Sequence, residues 1–186
     1  MSTFTTPENL RTATLDTTES RHDVEGWDAA AAILMQFILG LPTSYEDSRW
    51  FFICGPVGVG KSHLAACIFN AVKATRCGWV ERWIIASQMV EMLSPGDRRS
   101  VWRRRLVEAN PLVIDDIGGE YRTEWGEAEI EYVISRRYDK QRMTILTSNL
   151  SPEKLGERYG ERVIDRIREV ATILTLVGPS YRGSGG

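Results

Sequence analysis

The sequence predicts an α/β fold, a parallel sheet of five strands with helices on both faces. Two observations carry that reading. Short apolar runs alternate along the chain with longer segments of helical period. The first run, Trp50 to Cys54, opens straight into a glycine-rich turn and then a helix. Ligands of such sheets sit at the carboxyl ends of the strands.

The elements follow in order. Residues 1–22 are rich in Thr and Ser; 1–9 are expected to be a mobile tail and 10–182 one domain, with 183–186 a flexible end. Trp27 to Leu39 reads as a helix stopped by Gly40 and Pro42. Tyr45 to Arg49 is a polar linker into the strand Trp50 to Cys54. The next helix runs to about Arg76, where Gly78 breaks it. Val80 to Ala86 is a strand, Ser87 to Leu93 a short helix, and Asp97 to Ala109 a basic helix ended by Asn110-Pro111. Leu112 to Ile114 is a strand that enters Asp115-Asp116. Trp125 to Lys140 is an amphipathic helix, and Met143 to Thr147 a strand. Helices near 152–158 and 160–169 precede a last strand, Ala171 to Val177.

Composition sets bounds. The chain has 186 residues, 42% hydrophobic and 26% charged, values of one globular domain. Net charge is −2, so no global basic signal points to nucleic acid. The cations are 19 Arg and 4 Lys, which favours planar contacts to phosphate or carboxylate. Three cysteines without ligand spacing and two histidines argue against a zinc site. Cys54 and Cys67 read as small buried hydrophobes. The start of the chain lacks a basic segment followed by an apolar one, and no run is long enough to span a bilayer. A reducing cytoplasm is the expected setting.

Gly55, Gly60, Lys61 and Ser62 fit G-x-x-x-x-G-K-[ST], the loop that cradles phosphate. Chance gives this pattern in on the order of 1% of chains this long, and the flanking strand and helix lower that further. Glycine lets backbone N–H groups turn toward phosphate, and the new helix adds its unpaired N–H groups and dipole. Gly55, Pro56, Val57, Gly58, Val59, Gly60, Lys61, Ser62 and His63 are therefore the expected ATP contacts. Lys61 would reach the β- and γ-phosphates, and the Ser62 hydroxyl would hold Mg²⁺.

Leu112 to Asp116 is an apolar strand ending in two carboxylates, the form of a Walker B element. Asp115 would bind the metal ion and Asp116 would orient the attacking water as general base. Two solvated acids in a turn would look the same, so the pair gains meaning from the phosphate loop before it. In ATPases with an added strand between those two, that strand's last polar side chain faces the γ-phosphate. Asn149 has the chemistry for it, donating to phosphate and accepting from water. As an ordinary helix cap it would compete with Ser151.

The stretches Gly55-Pro56-Val57-Gly58-Val59-Gly60-Lys61-Ser62, Leu112-Val113-Ile114-Asp115-Asp116, Thr147-Ser148-Asn149 and Gly160-Glu161-Arg162-Val163-Ile164-Asp165-Arg166 together resemble the AAA+ helicase loaders of the DnaC/DnaI type and the IstB transposition ATPases. The resemblance covers roughly residues 10–182. It implies a P-loop core of strand order 5-1-4-3-2 with little or no C-terminal lid, Asn149 as sensor, and Arg166 as an arginine finger reaching a neighbouring subunit's ATP. Arg182 lies where the loaders carry a second sensor-like arginine. Implied partners are single-stranded DNA, a replicative helicase or a transposase, and further subunits docked through the Arg166 face. On residues alone, Arg166 reads more simply as a surface pair with Asp165 or Glu169.

Two departures are visible. The second acid is Asp116 where these ATPases often have Glu, which implies slow hydrolysis. The loaders carry a helicase-binding domain before the core, whereas here the core is expected to begin near Arg11. The basic helix holds Arg98, Arg99, Arg103, Arg104 and Arg105. So dense a cluster repels itself without a polyanion, so these arginines read as DNA contacts. Trp102 reads as packing on the core. The favoured expectation is an ATPase of the helicase-loader type, switched by ATP and single-stranded DNA, with an IstB-like partner of a transposase as the alternative; from other classes the alternatives are a small phosphotransferase and an adaptor that binds ATP without hydrolysing it.

Overall fold

The computed structural model describes residues 4–16, 18, 23–41, 49–75 and 80–180. Its elements are α1 (Trp27–Leu39), β1 (Trp50–Cys54), α2 (Lys61–Thr75), β2 (Arg82–Ile85), α3 (Ala86–Met92), α4 (Arg99–Glu108), β3 (Leu112–Asp115), α5 (Glu124–Asp139), β4 (Thr144–Ser148), α6 (Pro152–Tyr159), α7 (Glu161–Val170) and β5 (Ala171–Thr175). A short 3₁₀ turn, Glu8–Leu10, precedes them. The sheet is parallel with order β2-β3-β4-β1-β5, the order expected.

Side chains along β1 alternate between two cores. Phe51 and Ile53 join α1, α2 and the strand residues Trp83, Val113, Ile145 and Leu174. Trp50, Phe52 and Cys54 face the other way, against residues of α3 to α7. Burial on both faces is why WFFIC carries no polar position. β1 lies between β4 and β5, so Cys54 pairs with Ser148 on one side and Thr175 on the other. That register sets the phosphate loop beside the ends of β4 and β3.

Phe4, within the tail expected over 1–9, lies against the folded domain, and the residues just after that tail are tied to α2. Leu10 is buried, the Asn70 amide donates to the carbonyls of Leu10 (3.1 Å) and Ala13 (2.9 Å), and Phe4 packs on Trp102. Scarce apolar residues suggested mobility, but Phe4, one of the few, found a site. The last strand ends at Thr175; beyond it Val177 forms a bridge with Glu25. The expected linker residues 45–48, the helix break at Gly78, Arg182 and the end 183–186 lie outside the described residues.

Arg137 of α5 is fully buried, which composition did not foretell. Its guanidinium donates to the carbonyls of Leu106 (2.6 Å), Ala109 (2.8 Å) and Met143 (2.5 Å) and to the Thr144 hydroxyl (2.9 Å). It satisfies carbonyls at the end of α4, where a cation also suits the helix dipole. Burial lowers its pKa to about 9, which leaves it charged at neutral pH. Arg137→Met should strand those carbonyls and cost at least about 3 kcal/mol in urea unfolding; a loss near zero would show that the buried cation adds no net stability.

Candidate functional site

Three strand ends and one helix start build the site. Gly55, Gly58 and Gly60 adopt positive φ, which a side chain would strain. At Gly58 an added Cβ would also lie 2.0 Å from the Ser180 hydroxyl oxygen, so chain beyond β5 lies against the phosphate loop. Val59 is buried in the core and Val57 half exposed, so from this loop the backbone, not these side chains, is left for phosphate.

Lys61 begins α2 and is 7% exposed. Its ammonium donates to the Pro56 carbonyl (2.6 Å) and to the Asn149 Oδ1 (2.7 Å). Asn149 in turn donates from Nδ2 to Asp116 Oδ1 (2.6 Å). One line of hydrogen bonds therefore joins the phosphate loop, the turn after β4 and the turn after β3. Ser151 caps α6, accepting from the Lys154 N–H, and Asn149 takes no part in that cap.

Asp115 is held beside Ser62. The Ser62 hydroxyl donates to its Oδ1 at 2.8 Å, and the Thr147 hydroxyl donates to the same oxygen at 2.5 Å. Thr147 Oγ1 also accepts from the Asp116 N–H at 2.9 Å. A hydroxyl and a carboxylate at this separation suit Mg²⁺, which is commonly held by one or two carboxylates and the substrate's phosphates. Asp116 itself sits at φ 59°, a conformation that costs a non-glycine residue energy and recurs at functional sites. The loop behind it turns tightly: a Cβ on Gly119 would fall 2.3 Å from Asp116 Oδ2.

A shell unread in the sequence fixes this loop. Glu120 is buried and accepts from the Gly118 N–H (3.0 Å), the Arg158 guanidinium (2.6 Å) and the Tyr159 hydroxyl. Arg158 also donates to the carbonyls of Gly118 (2.9 Å) and Glu120 (2.6 Å). Burial, then the bond to Glu120, push the Tyr159 phenol well above its ordinary range. These pairs are 38 and 39 residues apart, and no local pattern announces them.

A cleft of ≈ 450 Å³ contains Gly58, Gly60, Lys61, Ser62, His63 and Asp115 in its wall. Pro7, Asn9, Leu10 and Ile85 complete that wall, so part of the expected tail borders the phosphate site. His63 Nε2 lies 2.6 Å from the Thr18 hydroxyl, which itself donates to the Thr14 carbonyl at 2.5 Å. Cys54 and Cys67 are buried, and burial pushes both thiols up, away from reactivity.

Three of the arginines singled out in the sequence have partners within the chain. Arg99 and Arg103 are not an unpaired part of a repelling cluster. Both bind Glu129 of α5, whose side chain is 1% exposed; Arg103 spans both carboxylate oxygens at 2.8 and 2.6 Å. Burial pushes the Glu129 carboxyl up, but the bonds from Arg103 and Arg99 outweigh it and hold it below the usual carboxylate range. Arg103 also lies over Tyr132 and Arg99 over Trp125. Arg98, Arg104 and Arg105 remain exposed. Arg166 is not a projecting arm in the single chain: it donates to the Ser135 hydroxyl and lies 5.4 Å from the Tyr138 ring centre. Trp102 packs on the core, as read from sequence.

The fold and the cleft define an AAA+ type P-loop ATP-binding domain. The chain belongs to the family described as IstB-like ATP binding protein, matched over residues 10–184. It is 33% identical over 136 residues to an ATP-binding protein in an insertion sequence of Mycobacterium tuberculosis, a match covering 69% of this chain and 53% of that one. It is 31% identical over 122 residues to the replicative helicase loader DnaC of Escherichia coli, covering 63% and 49%. These matches span about half the length of those relatives. The fold resembles a crystal structure of the DnaC helicase loader, with TM-score 0.78, 24% identity and coverage of 91% and 99%. Among the described residues no helix is long and apolar enough to cross a membrane.

Lys61→Ala should weaken binding of a fluorescent ATP analogue by about tenfold to a hundredfold, the scale of a charge-assisted hydrogen bond; unchanged affinity would remove Lys61 from the site. Glu129 makes a second test. Its folded pKa is depressed, so its stabilisation is present above the unfolded value of ~4.3 and is lost as pH falls through the folded value. Glu129→Gln should cost about 2 kcal/mol at pH 7 and flatten the acid limb of stability against pH. An unaltered acid limb would contradict the pairing.

Proposed function

We infer that this chain hydrolyses ATP in this cleft and uses the cycle to engage DNA together with a protein client. The observation that carries the reading is the hydrogen-bonded line Lys61–Asn149–Asp116. ATP brings phosphate oxygens that compete for the Lys61 ammonium. Once Lys61 turns to them, the Asn149 amide has its oxygen for a water while Asp116 stands within reach as base. Ser62 and Asp115 would hold Mg²⁺, which when bound neutralises charge on the phosphates. A kinase has no need of an activated water, which weighs against a phosphotransferase.

Arg166 completes the reading. In the single chain it rests on α5 at Ser135 and Tyr138. A neighbouring subunit docked on the α7 face would draw it to that subunit's ATP, where a cation offsets charge on the transferred group. The chain then works as a homo- or hetero-oligomer. Arg182, which lies in the sequence where the loaders carry a second sensor-like arginine, would serve its own ATP.

The favoured client is a transposase, because the family match and the insertion-sequence relative both lie on that side. A replicative helicase is the second reading, supported by 31% identity to a helicase loader. Single-stranded DNA binds through the exposed arginines Arg98, Arg104 and Arg105, in the reducing cytoplasm. Asp116, one methylene shorter than Glu, keeps turnover slow.

Asp116→Asn and Asn149→Ala should each lower phosphate release by about 10²-fold or more while ATP still binds, the scale of a lost general base. Arg166→Ala should be inactive alone, and mixing it with Asp116→Asn should restore part of the activity if sites are shared. Wild-type rates in Asp116→Asn would sink the hydrolytic reading and leave an ATP-binding adaptor. Capture of a transposase or a helicase by ATP-loaded Asp116→Asn chooses between the clients.

A further inference from the structure

Phe4 occupies a site that distant residues build. Its ring centroid lies 5.6 Å from that of Trp102, and the Arg82 guanidinium sits 4.5 Å from its ring centre. Arg105 covers Trp102 at 4.7 Å. Arg82 comes from the start of β2, Trp102 and Arg105 from α4, and Phe4 from the N-terminal segment.

As an internal contact this arrangement is imperfect. The Arg82 Nε is buried without a hydrogen-bond acceptor among the described residues. Burial and then the nearby positive charge of Arg105 both disfavour the Arg82 cation. The adjacent carboxylate, Glu81, paired to Lys73 at 3.1 Å, offsets these effects only in part. Two cations, an aromatic face and an unmet donor suit an anion that carries a flat ring. One nucleotide of a single strand has both parts: phosphate for the arginines, and a base for the face of Trp102.

The segment that carries Phe4 runs on to the ATP cleft. Pro7 and Asn9 line that cleft with Ser62 and Asp115, and Leu10 is fixed to α2 through Asn70. Phe4 therefore sits at the Arg82 end of β2, and Pro7 and Asn9 share the cleft wall with Ile85 at its other end. Phe4 and the cleft-lining Pro7 and Asn9 thus lie on one short segment.

We propose that Arg82, Trp102 and Arg105 bind one nucleotide of single-stranded nucleic acid in the place Phe4 fills, and that expelling Phe4 shifts Pro7 and Asn9 at the ATP cleft. This rests on the reading that the chain binds single strands, and it adds where one nucleotide sits and how the ATP site senses it. Because coupling is reciprocal, ATP alters the affinity for the strand by the same factor.

The test measures anisotropy of labelled oligothymidylate and oligouridylate, and dissociation of a fluorescent ATP analogue, on the full chain. Phe4→Ala should tighten oligonucleotide binding about twofold to tenfold, since an aromatic competitor is gone. Trp102→Ala should weaken it at least about fivefold, the scale of a lost base stack. Arg82→Ala should reduce the salt slope by about one. Oligonucleotide should change analogue release from the wild type and add nothing in Phe4→Ala. If the wild type binds neither oligonucleotide at low salt, the single-strand reading itself fails. If it binds and Phe4→Ala behaves as wild type in both assays, that reading stands and this inference is overturned; Phe4→Ala decides even if Trp102→Ala fails to fold.

Discussion

The ammonium of Lys61 is the constraint around which the rest is arranged. A cation this buried must be met by acceptors, because desolvation of an unpaired charge costs several kcal/mol. Acceptors that meet it include the Pro56 carbonyl within its own loop and the Asn149 amide oxygen at the end of β4. The second is in reach because β4 lies next to β1 in register, Cys54 against Ser148. A strand order without that adjacency would leave Lys61 and Asn149 on separate parts of the sheet.

The acids depend on the same adjacency. Thr147 donates to Asp115 and accepts from the Asp116 backbone, so a single hydroxyl on β4 fixes both residues at the end of β3. The Ser148 hydroxyl donates to the Ile117 carbonyl at 2.6 Å, and Ile117 N–H bonds the Thr147 carbonyl at 2.8 Å. Arg158 and Tyr159 of α6 then pin the loop through Glu120 and the Gly118 carbonyl. Side chains held by such a shell lose little entropy when a ligand arrives. The shell also explains how Asp116 tolerates a positive φ, since its neighbours over-determine the turn.

Most of the fold was legible because its signals are local. WFFIC, the glycine-rich turn and LVIDD each announce a strand end by the residues beside it, and Trp27 to Leu39 matches its helix at both ends. Asn149 could be singled out because Ser151 offered a better cap. What stayed hidden is pairing at long range. Glu129 sits 26 and 30 residues from its two arginines, so the basic helix looked short of counter-charge when α5 carried it. Arg137 reads as one more surface cation until its carbonyl partners are seen. Phe4 was missed for a related reason: composition averages over residues, whereas a single ring can find a site. Arg166 was read with a neighbouring chain in view, and in one chain it bonds what lies closest, Ser135.

The most direct measurement is a crystal structure with a non-hydrolysable ATP analogue and Mg²⁺ bound. In that complex Lys61 Nζ should leave Asn149 for the terminal phosphates, and Asn149 and Asp116 should then share a water in line with the γ-phosphate. A structure in which Lys61 still bonds Asn149 and Pro56, with no water between Asn149 and Asp116, would contradict this.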